Sequence, residues 1–275
     1  MKVDLHIHTT ASDGTSTPQQ VVQIAAERKL QAIAITDHDT VGGIEEAKAE
    51  GLRSGIEVIP GVEINTDYNH QEIHILGYFI RYNDSQFKER LEILQNARLI
   101  RIKKMVDCLP GLGLPIEFKR VLELAGEGSV GRPHIGMAMM EKGYVTTVQE
   151  AFQRYLGLGR PAFVPRYALA PAEAVEIIRQ AGGIPVWAHP GLAKRDYLLV
   201  ELVEAGLQGL EVYYPEHAPD IVRHYLALAR QYRLVVTGGS DYHGSGTGYR
   251  AELGEVTVPY DVVNQLRQGL DRSSD

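Results

Sequence analysis

Val3-Asp4-Leu5-His6-Ile7-His8-Thr9, followed by Thr10-Ala11-Ser12-Asp13-Gly14, is the stretch whose reading decides the fold. Side chains alternate along a β-strand, so strand geometry sends Asp4, His6 and His8 to one face and Val3, Leu5 and Ile7 to the other. Two imidazoles then aim at one point, with the Asp13 carboxylate just past the strand end. Packing alone does not call for that pattern. Neutral imidazole with carboxylate suits Zn, Mn and Fe, and the bland alternative is a polar strand edge.

Working outward, 275 residues can bury one large core, as a single domain or as a domain with an insertion. The single cysteine, Cys108, excludes an intramolecular disulfide, suits a reducing cytoplasm and reads as a core residue. No apolar run approaches the roughly 18 residues of a membrane span, and the N-terminus lacks a basic flank with an apolar core. The expectation is a soluble, cytoplasmic protein with no membrane association. The net charge of -7 is uneven: residues 80–167 hold 14 Lys+Arg against 9 Asp+Glu, and the remainder 14 against 26. The surplus acids are candidates for cation binding, and the acidic total argues against processive nucleic-acid binding.

Along the chain, Thr17-Pro18-Gln19-Gln20 predicts an N-cap, a proline at the first helical position and a capping-box glutamine. Strands are predicted at Ala32 to Ile35, Glu57 to Pro60, Glu72 to Ile80, Ile184 to Ala188, Gly209 to Tyr213, Leu234 to Thr237 and Glu255 to Val258, with helices between most of them. This repetition implies a parallel sheet, and its length favours a closed or nearly closed barrel. Residues 80–167 break the alternation. A long helix from Ser85 to about Leu109 and several shorter ones, one starting at Pro133 and one at the Thr147 capping box, predict an inserted helical domain between barrel parts 1–79 and 168–275.

In α/β barrels the chemistry sits at the C-terminal ends of the strands. His6, His8, Asp13, His38, Glu63, His74, His189, Asp241 and His243 all fall at or just past a predicted strand end. A lone buried histidine is more often structural, but nine candidates at one rim point to metal. Nine are too many for one tetrahedral zinc and suit two or three ions.

Asp4-Leu5-His6-Ile7-His8-Thr9, Thr36-Asp37-His38, Gly61-Val62-Glu63, His189-Pro190 and Gly239-Ser240-Asp241-Tyr242-His243 together resemble the ordered motifs of the PHP (polymerase and histidinol phosphatase) superfamily. The resemblance implies a distorted seven-stranded (β/α)7 TIM-like barrel with a trinuclear site. By motif, His6, His8, Glu63 and Asp241 would hold the first metal. Glu63 would bridge to a second held by His74 and His189, and Asp13, His38 and His243 would hold the third. The family often has His where this chain has Asp13, which shifts that site towards harder ions such as Mn and Fe.

Phosphoester chemistry accounts for such a set. Bound divalent ions neutralise the phosphate charge, orient it and lower the pKa of a bound water from 15.7 to about 7, so the expected nucleophile is a metal-bound hydroxide. No side chain is assigned as the catalytic group. Asp4, Asp37 and Asp39 read as partners orienting the imidazoles, with simple loop capping as the alternative.

The insertion adds cations. Gly131-Arg132-Pro133-His134 places Arg132 and His134 at a helix start, where backbone N–H groups and the dipole favour anions. Gly159-Arg160-Pro161-Ala162-Phe163-Val164-Pro165-Arg166 adds Arg160 and Arg166, whose forks match phosphate oxygens in pairs. These segments resemble the subgroup with an inserted helical domain, whose members act as nucleoside 3',5'-bisphosphate phosphatases and, in some cases, as 5'-to-3' exonucleases. The implied substrate is a small phosphorylated nucleotide, with short oligonucleotides trimmed from the 5' end as a further activity, and no obligate protein partner is evident.

Arg98, Arg101, Lys103 and Lys104 read as a solvated helix face. His70, His217 and His224 read as surface residues, and Tyr213 and Tyr214 either line the pocket or pack in the barrel. Two alternatives remain open: a phosphatase of another metabolite monophosphate, of the histidinol phosphate type, and a non-catalytic metal- or nucleotide-binding module. The second needs a broken ligand set, and none is missing.

Overall fold

The computed structural model describes residues 2–69, 71–126, 128–165, 169–244 and 251–272. Its first half runs β1 (Lys2–Ile7), α1 (Pro18–Glu27), β2 (Ala32–Ile35), α2 (Ile44–Ser54), β3 (Glu57–Tyr68) and β4 (Gln71–Tyr78). The start of α1 follows its residues. Thr17 Oγ1 accepts from the Gln20 N–H at 3.2 Å, and Gln20 Oε1 accepts from the Thr17 N–H at 2.8 Å, so two orphan donors of the first turn are satisfied reciprocally.

β3 continues unbroken through Gly61-Val62-Glu63 to Tyr68, well past the predicted end at Pro60. Gly61 permits this. A Cβ there would meet the Ile35 carbonyl oxygen at 2.8 Å and the Gly77 carbonyl oxygen at 3.0 Å, so only glycine lets both neighbouring strands close on β3. The chain reverses at Asn69, whose φ of 51° lies in the left-handed region. So short a connection cannot make a crossover, which is why β4 pairs antiparallel with β3 in an otherwise largely parallel sheet.

The helical segment comprises α3 (Ser85–Cys108), a 3-10 turn (Pro110–Leu112), α4 (Phe118–Ala125), α5 (Arg132–Glu141), α6 (Val148–Ala151) and a π-helical turn (Phe152–Leu156). Asp84 caps α3 by accepting the Phe87 N–H at 3.0 Å. Thr147 caps α6, while the Glu150 carboxylate reaches one residue further back, to the Thr146 N–H. The early turns of α3 pack Phe87, Leu91 and Leu94 on the barrel, whereas Ile102, Met105, Leu109, Val121, Ile135 and Leu156 bury one another in a separate apolar cluster.

The second half runs α7 (Pro171–Gln180), β5 (Ile184–Trp187), α8 (Pro190–Ala193), α9 (Leu198–Ala205), β6 (Gly209–Tyr213), α10 (Pro219–Tyr232), β7 (Val235–Gly238), β8 (Val258–Pro259) and α11 (Asp261–Arg272). The sheet order is β7-β6-β5-β4-β3-β2-β1-β8. β7 returns to β1, where Ile7 bridges Tyr242 and the His8 N–H donates to the Tyr242 carbonyl at 2.9 Å. Seven strands therefore form the nearly closed wall expected, and the two-residue β8 adds an eighth, antiparallel to β1. Val3, Leu5, Ala32, Ala34, Leu76 and Val186 form one buried layer with Val263 and Leu266 of α11. Ile33, Ile35, Val62, Ile64 and Trp187 form another with the surrounding helices. Each fully buried Leu, Ile or Val contributes about 1.5–3 kcal/mol.

Three expectations are corrected. Cys108 is exposed, because it ends α3 on the side away from the apolar cluster's contacts. Arg98 and Arg101 are buried rather than solvated, because the barrel supplies a carboxylate to each. His217 is buried, its Nδ1–H donating to the Val212 carbonyl and its Nε2 accepting the Gly191 N–H. His224 is largely exposed as expected, and His70 lies outside the described residues. No helix among the described residues is long and apolar enough to cross a membrane.

Candidate metal centre

β1 does not keep strict alternation. Its register against β2 shifts between Asp4 and Ile7, which turns Asp4 away from the imidazoles. The Asp4 carboxylate instead accepts from the Ser240 N–H (2.9 Å), the Ser240 hydroxyl (2.6 Å) and the Gly254 N–H (2.7 Å), stitching β1 to the segments after β7. Burial pushes its carboxyl up to about 6 despite those donors.

Past the shift, His6 and His8 converge, with their Nε2 atoms 3.2 Å apart. Glu63 Oε2 lies 3.4 Å from His6 Nε2 and 3.2 Å from His8 Nε2, and Asp241 Oδ1 lies 3.2 and 3.1 Å from the same two atoms. Donor atoms so spaced surround a point roughly 2 Å from each, the length of a Zn–N or Zn–O bond. The other Glu63 oxygen, Oε1, faces His74 Nδ1 at 2.9 Å and His189 Nε2 at 3.2 Å. A third group gathers on the far side of His8: Asp13 Oδ1 is 3.4 Å from His243 Nε2 and 3.9 Å from His8 Nδ1, and Asp13 Oδ2 is 3.9 Å from His38 Nε2. His38 has two faces, since its Nδ1 lies 2.9 Å from Glu63 Oε2. All nine sequence-derived candidates thus meet at one rim, and His8 and His38 each stand between two groups.

The electrostatics show what this assembly lacks. Burial raises the Glu63 carboxyl, but the imidazoles of His74, His38 and His6 outweigh it and hold Glu63 well below the usual carboxylate range. Asp13 and Asp241 are held down in the same way by the histidines beside them, against burial. Burial lowers His8, yet the Asp241 and Glu63 carboxylates drive it up to about 10, whereas burial dominates at His38 and takes it down to about 4. Three buried, ionised carboxylates therefore pull positive charge into the cluster. Glu63 Oε2, Asp13 Oδ1 and His8 Nδ1 are buried without a hydrogen-bond partner among the described residues. Such orphan atoms are costly unless something else meets them.

Above the cluster opens a cavity of about 430 Å³, whose walls include Glu63, His74, His189 and Asp241 from the barrel and Arg132, Leu158 and Phe163 from the helical segment. Arg132 Nη2 pairs with Glu72 Oε2 at 2.5 Å, and its guanidinium lies 4.9 Å from the Phe152 ring. His134 is buried, its Nδ1 accepting the Gly131 N–H at 2.9 Å, so it caps α5. Arg160 is exposed on the turn at Gly157 to Gly159 and does not line the cavity, and Arg166 lies outside the described residues.

The PHP domain family model matches residues 4–158. The chain belongs to the PHP domain family. It is 34% identical over 249 residues to the 5'-3' exoribonuclease Rnm of Salmonella typhimurium, covering 87% of this chain and 84% of the relative. It is 32% identical over 254 residues to the 3',5'-nucleoside bisphosphate phosphatase of Chromobacterium violaceum, covering 90% and 89%. It is 33% identical over 245 residues to the phosphoribosyl 1,2-cyclic phosphate 1,2-diphosphodiesterase of Eggerthella lenta, covering 88% and 94%. A crystal structure of a putative metal-dependent phosphoesterase from Bifidobacterium adolescentis superposes with a TM-score of 0.90 at 31% identity, covering 97% of this chain and 96% of that one. The chain is a metal-dependent hydrolase of phosphoester bonds, and its donor groups fit divalent cations.

Within this PHP site, several supporting residues differ from the sequence reading. Asp37 accepts from the Thr9 N–H, the Thr9 hydroxyl and the Ser12 hydroxyl, so it caps the loop that carries Asp13 rather than an imidazole. Asp39 accepts the Asn65 N–H and side-chain amide and pairs with Arg98 at 2.7 Å, and the same Asn65 amide lies 3.1 Å from His38 Nδ1. The residue that does hold an imidazole is Glu211, which the motifs did not flag. Its Oε1 accepts from His6 Nδ1–H at 3.0 Å and its Oε2 accepts the His189 N–H at 2.8 Å. Its signal was a carboxylate inside the apolar strand run Leu210-Glu211-Val212, a position that burial forbids unless a partner waits there. Of the two roles open to Tyr214, the structure shows it lining the cavity, where it donates its hydroxyl to Asp241 Oδ2 at 3.0 Å.

Proposed function

We propose that the protein removes a phosphate from a small nucleotide, a nucleoside 3',5'-bisphosphate above all, and trims short oligonucleotides from the 5' end. The observation that carries this reading is the ring of buried donors around Glu63 opening into a cavity that an insertion arginine, Arg132, also lines. The two relatives named for these activities align over most of their length.

Residues 80–167 act as an insertion domain that roofs the barrel site. His6, His8, Glu63 and Asp241 would hold one ion, Glu63 with His74 and His189 a second, and Asp13, His38 and His243, with the outer face of His8, a third. Mn, Fe and Zn all suit imidazole and carboxylate, and the Asp13 carboxylate, standing where the family often has an imidazole, shifts the third group towards the harder Mn and Fe. When bound, these cations neutralise the phosphate and make a water acidic enough to attack at neutral pH. The chain's own groups do the rest. Glu211 fixes the tautomer of His6 so that Nε2 faces the ion, and Tyr214 orients Asp241. Arg132, set by Glu72 and Phe152, meets a phosphate that does not react.

Phosphate release from nucleoside 3',5'-bisphosphates, monophosphates, a sugar cyclic phosphate and short 5'-phosphorylated oligomers, with Mn supplied, tests the reading. Preferred turnover of the bisphosphate is the expected result. Turnover confined to the cyclic phosphate or to a non-nucleotide monophosphate would overturn it.

A further inference from the structure

The cavity has a face that phosphate chemistry leaves idle. Leu158 and Leu192 both line it while remaining 61% and 45% exposed, which sets them at its mouth, and the half-buried Phe163 lines the same cavity. Single exposed leucines are ordinary, but two on one pocket whose floor is histidine and carboxylate are a feature of the site.

Irregular backbone delivers both. Leu158 follows the π-helical turn Phe152–Leu156, a rare turn found mostly at functional places, and the same turn supplies the Phe152 ring to Arg132. Leu192 sits on the single-turn α8, entered through His189 at φ 30° and left through Lys194 at φ 52°. Left-handed values at two non-glycine residues cost energy and persist only where surrounding contacts impose them. His189 is held there by its contacts with Glu63 and Glu211. Each distorted segment thus serves a polar group deep in the cavity and a leucine at its entrance.

We propose that Leu158 and Leu192, backed by Phe163, clamp the base of a nucleotide substrate while its phosphates reach the floor. The proposal rests on the nucleotide reading above. Aliphatic side chains grip the faces of a ring and leave its hydrogen-bonding edge unread. Two of the neighbouring polar groups are committed to the protein itself: Gln71 donates to the Ala193 carbonyl, and Glu72 pairs with Arg132 and Arg101. The clamp therefore favours a nucleotide over an abasic sugar phosphate with little distinction among bases.

Steady-state kinetics of the wild type, Leu158→Ala and Leu192→Ala on a nucleoside 3',5'-bisphosphate and on ribose 3,5-bisphosphate decide this. Each substitution should raise KM for the nucleotide roughly tenfold and leave kcat, and both constants for the abasic compound, unchanged. Unchanged melting temperature and metal content, measured on the same samples, show that the fold is intact. Equal losses on both compounds, a loss in kcat, or no loss at all overturns the clamp while the nucleotide reading stands. Failure of the wild type on the nucleotide overturns both.

Discussion

The barrel rim and the helical segment bury charge in opposite ways. In the helical segment each buried arginine meets a carboxylate across the boundary: Arg98 meets Asp39 at 2.7 Å and Arg101 meets Glu72 at 3.2 Å, while the interior around Met105 and Leu109 is apolar. At the rim, the ionised Glu63, Asp13 and Asp241 face imidazoles whose orientation leaves buried atoms unmet. One region is complete as folded, and the other is complete only with cations. Buried charge in a protein therefore has to be read with its partners counted, since the same burial marks a structural tie in one place and a reactive centre in another.

The largest expected effect tests the rim. Glu63→Gln removes a charge shared among the donor groups, so kcat should fall at least about a thousandfold, with metal content lost by elemental analysis. A variant with full metal and full turnover would erase the contrast. Arg98→Ala tests the tie between regions: stranding Asp39 should cost about 3–5 kcal/mol in urea unfolding, and a cost below about 1 kcal/mol would mean the pair is dispensable. Met105→Ala probes the separate apolar cluster. It should cost about 2–5 kcal/mol with metal stoichiometry unchanged, and a drop in stoichiometry would show the two regions to be one cooperative unit. Glu211→Gln should weaken metal affinity by about 10–100-fold through His6, read by competition with a chelator. The smallest effect lies at Glu150, partly exposed on the helical segment, where the Thr146 N–H and hydroxyl and Arg154 hold the carboxyl down to about 2. A depressed folded-state pKa gives stability present above about pH 4.5 and lost as pH falls towards 2. The melting temperature of wild type should thus fall more than that of Glu150→Gln between pH 5 and pH 3, and parallel curves would remove Glu150 from the account.

Much of the site was legible because its residue types are wrong for plain packing at strand ends. His6, His38, Glu63 and Asp241 declared themselves that way, and so did the Thr17 and Thr147 caps. What escaped were residues whose meaning depends on a distant partner. Arg98 and Arg101 look like a solvated face until Asp39 and Glu72 are seen opposite them. Glu211 is only an odd carboxylate until His6, 205 positions away in the chain, is seen beside it.

By itself the sequence determined the alternation of elements, their caps, and the gathering of ligand-type side chains at one rim, because these depend on neighbours within a turn or a strand. Only the tertiary structure decided which imidazole meets which carboxylate, that Asp4 leaves the cluster, that β4 runs antiparallel and that the arginines of α3 are buried. Those outcomes follow from barrel closure and from one extra residue in the register of β1, which arise from packing between distant segments and leave no local pattern to read.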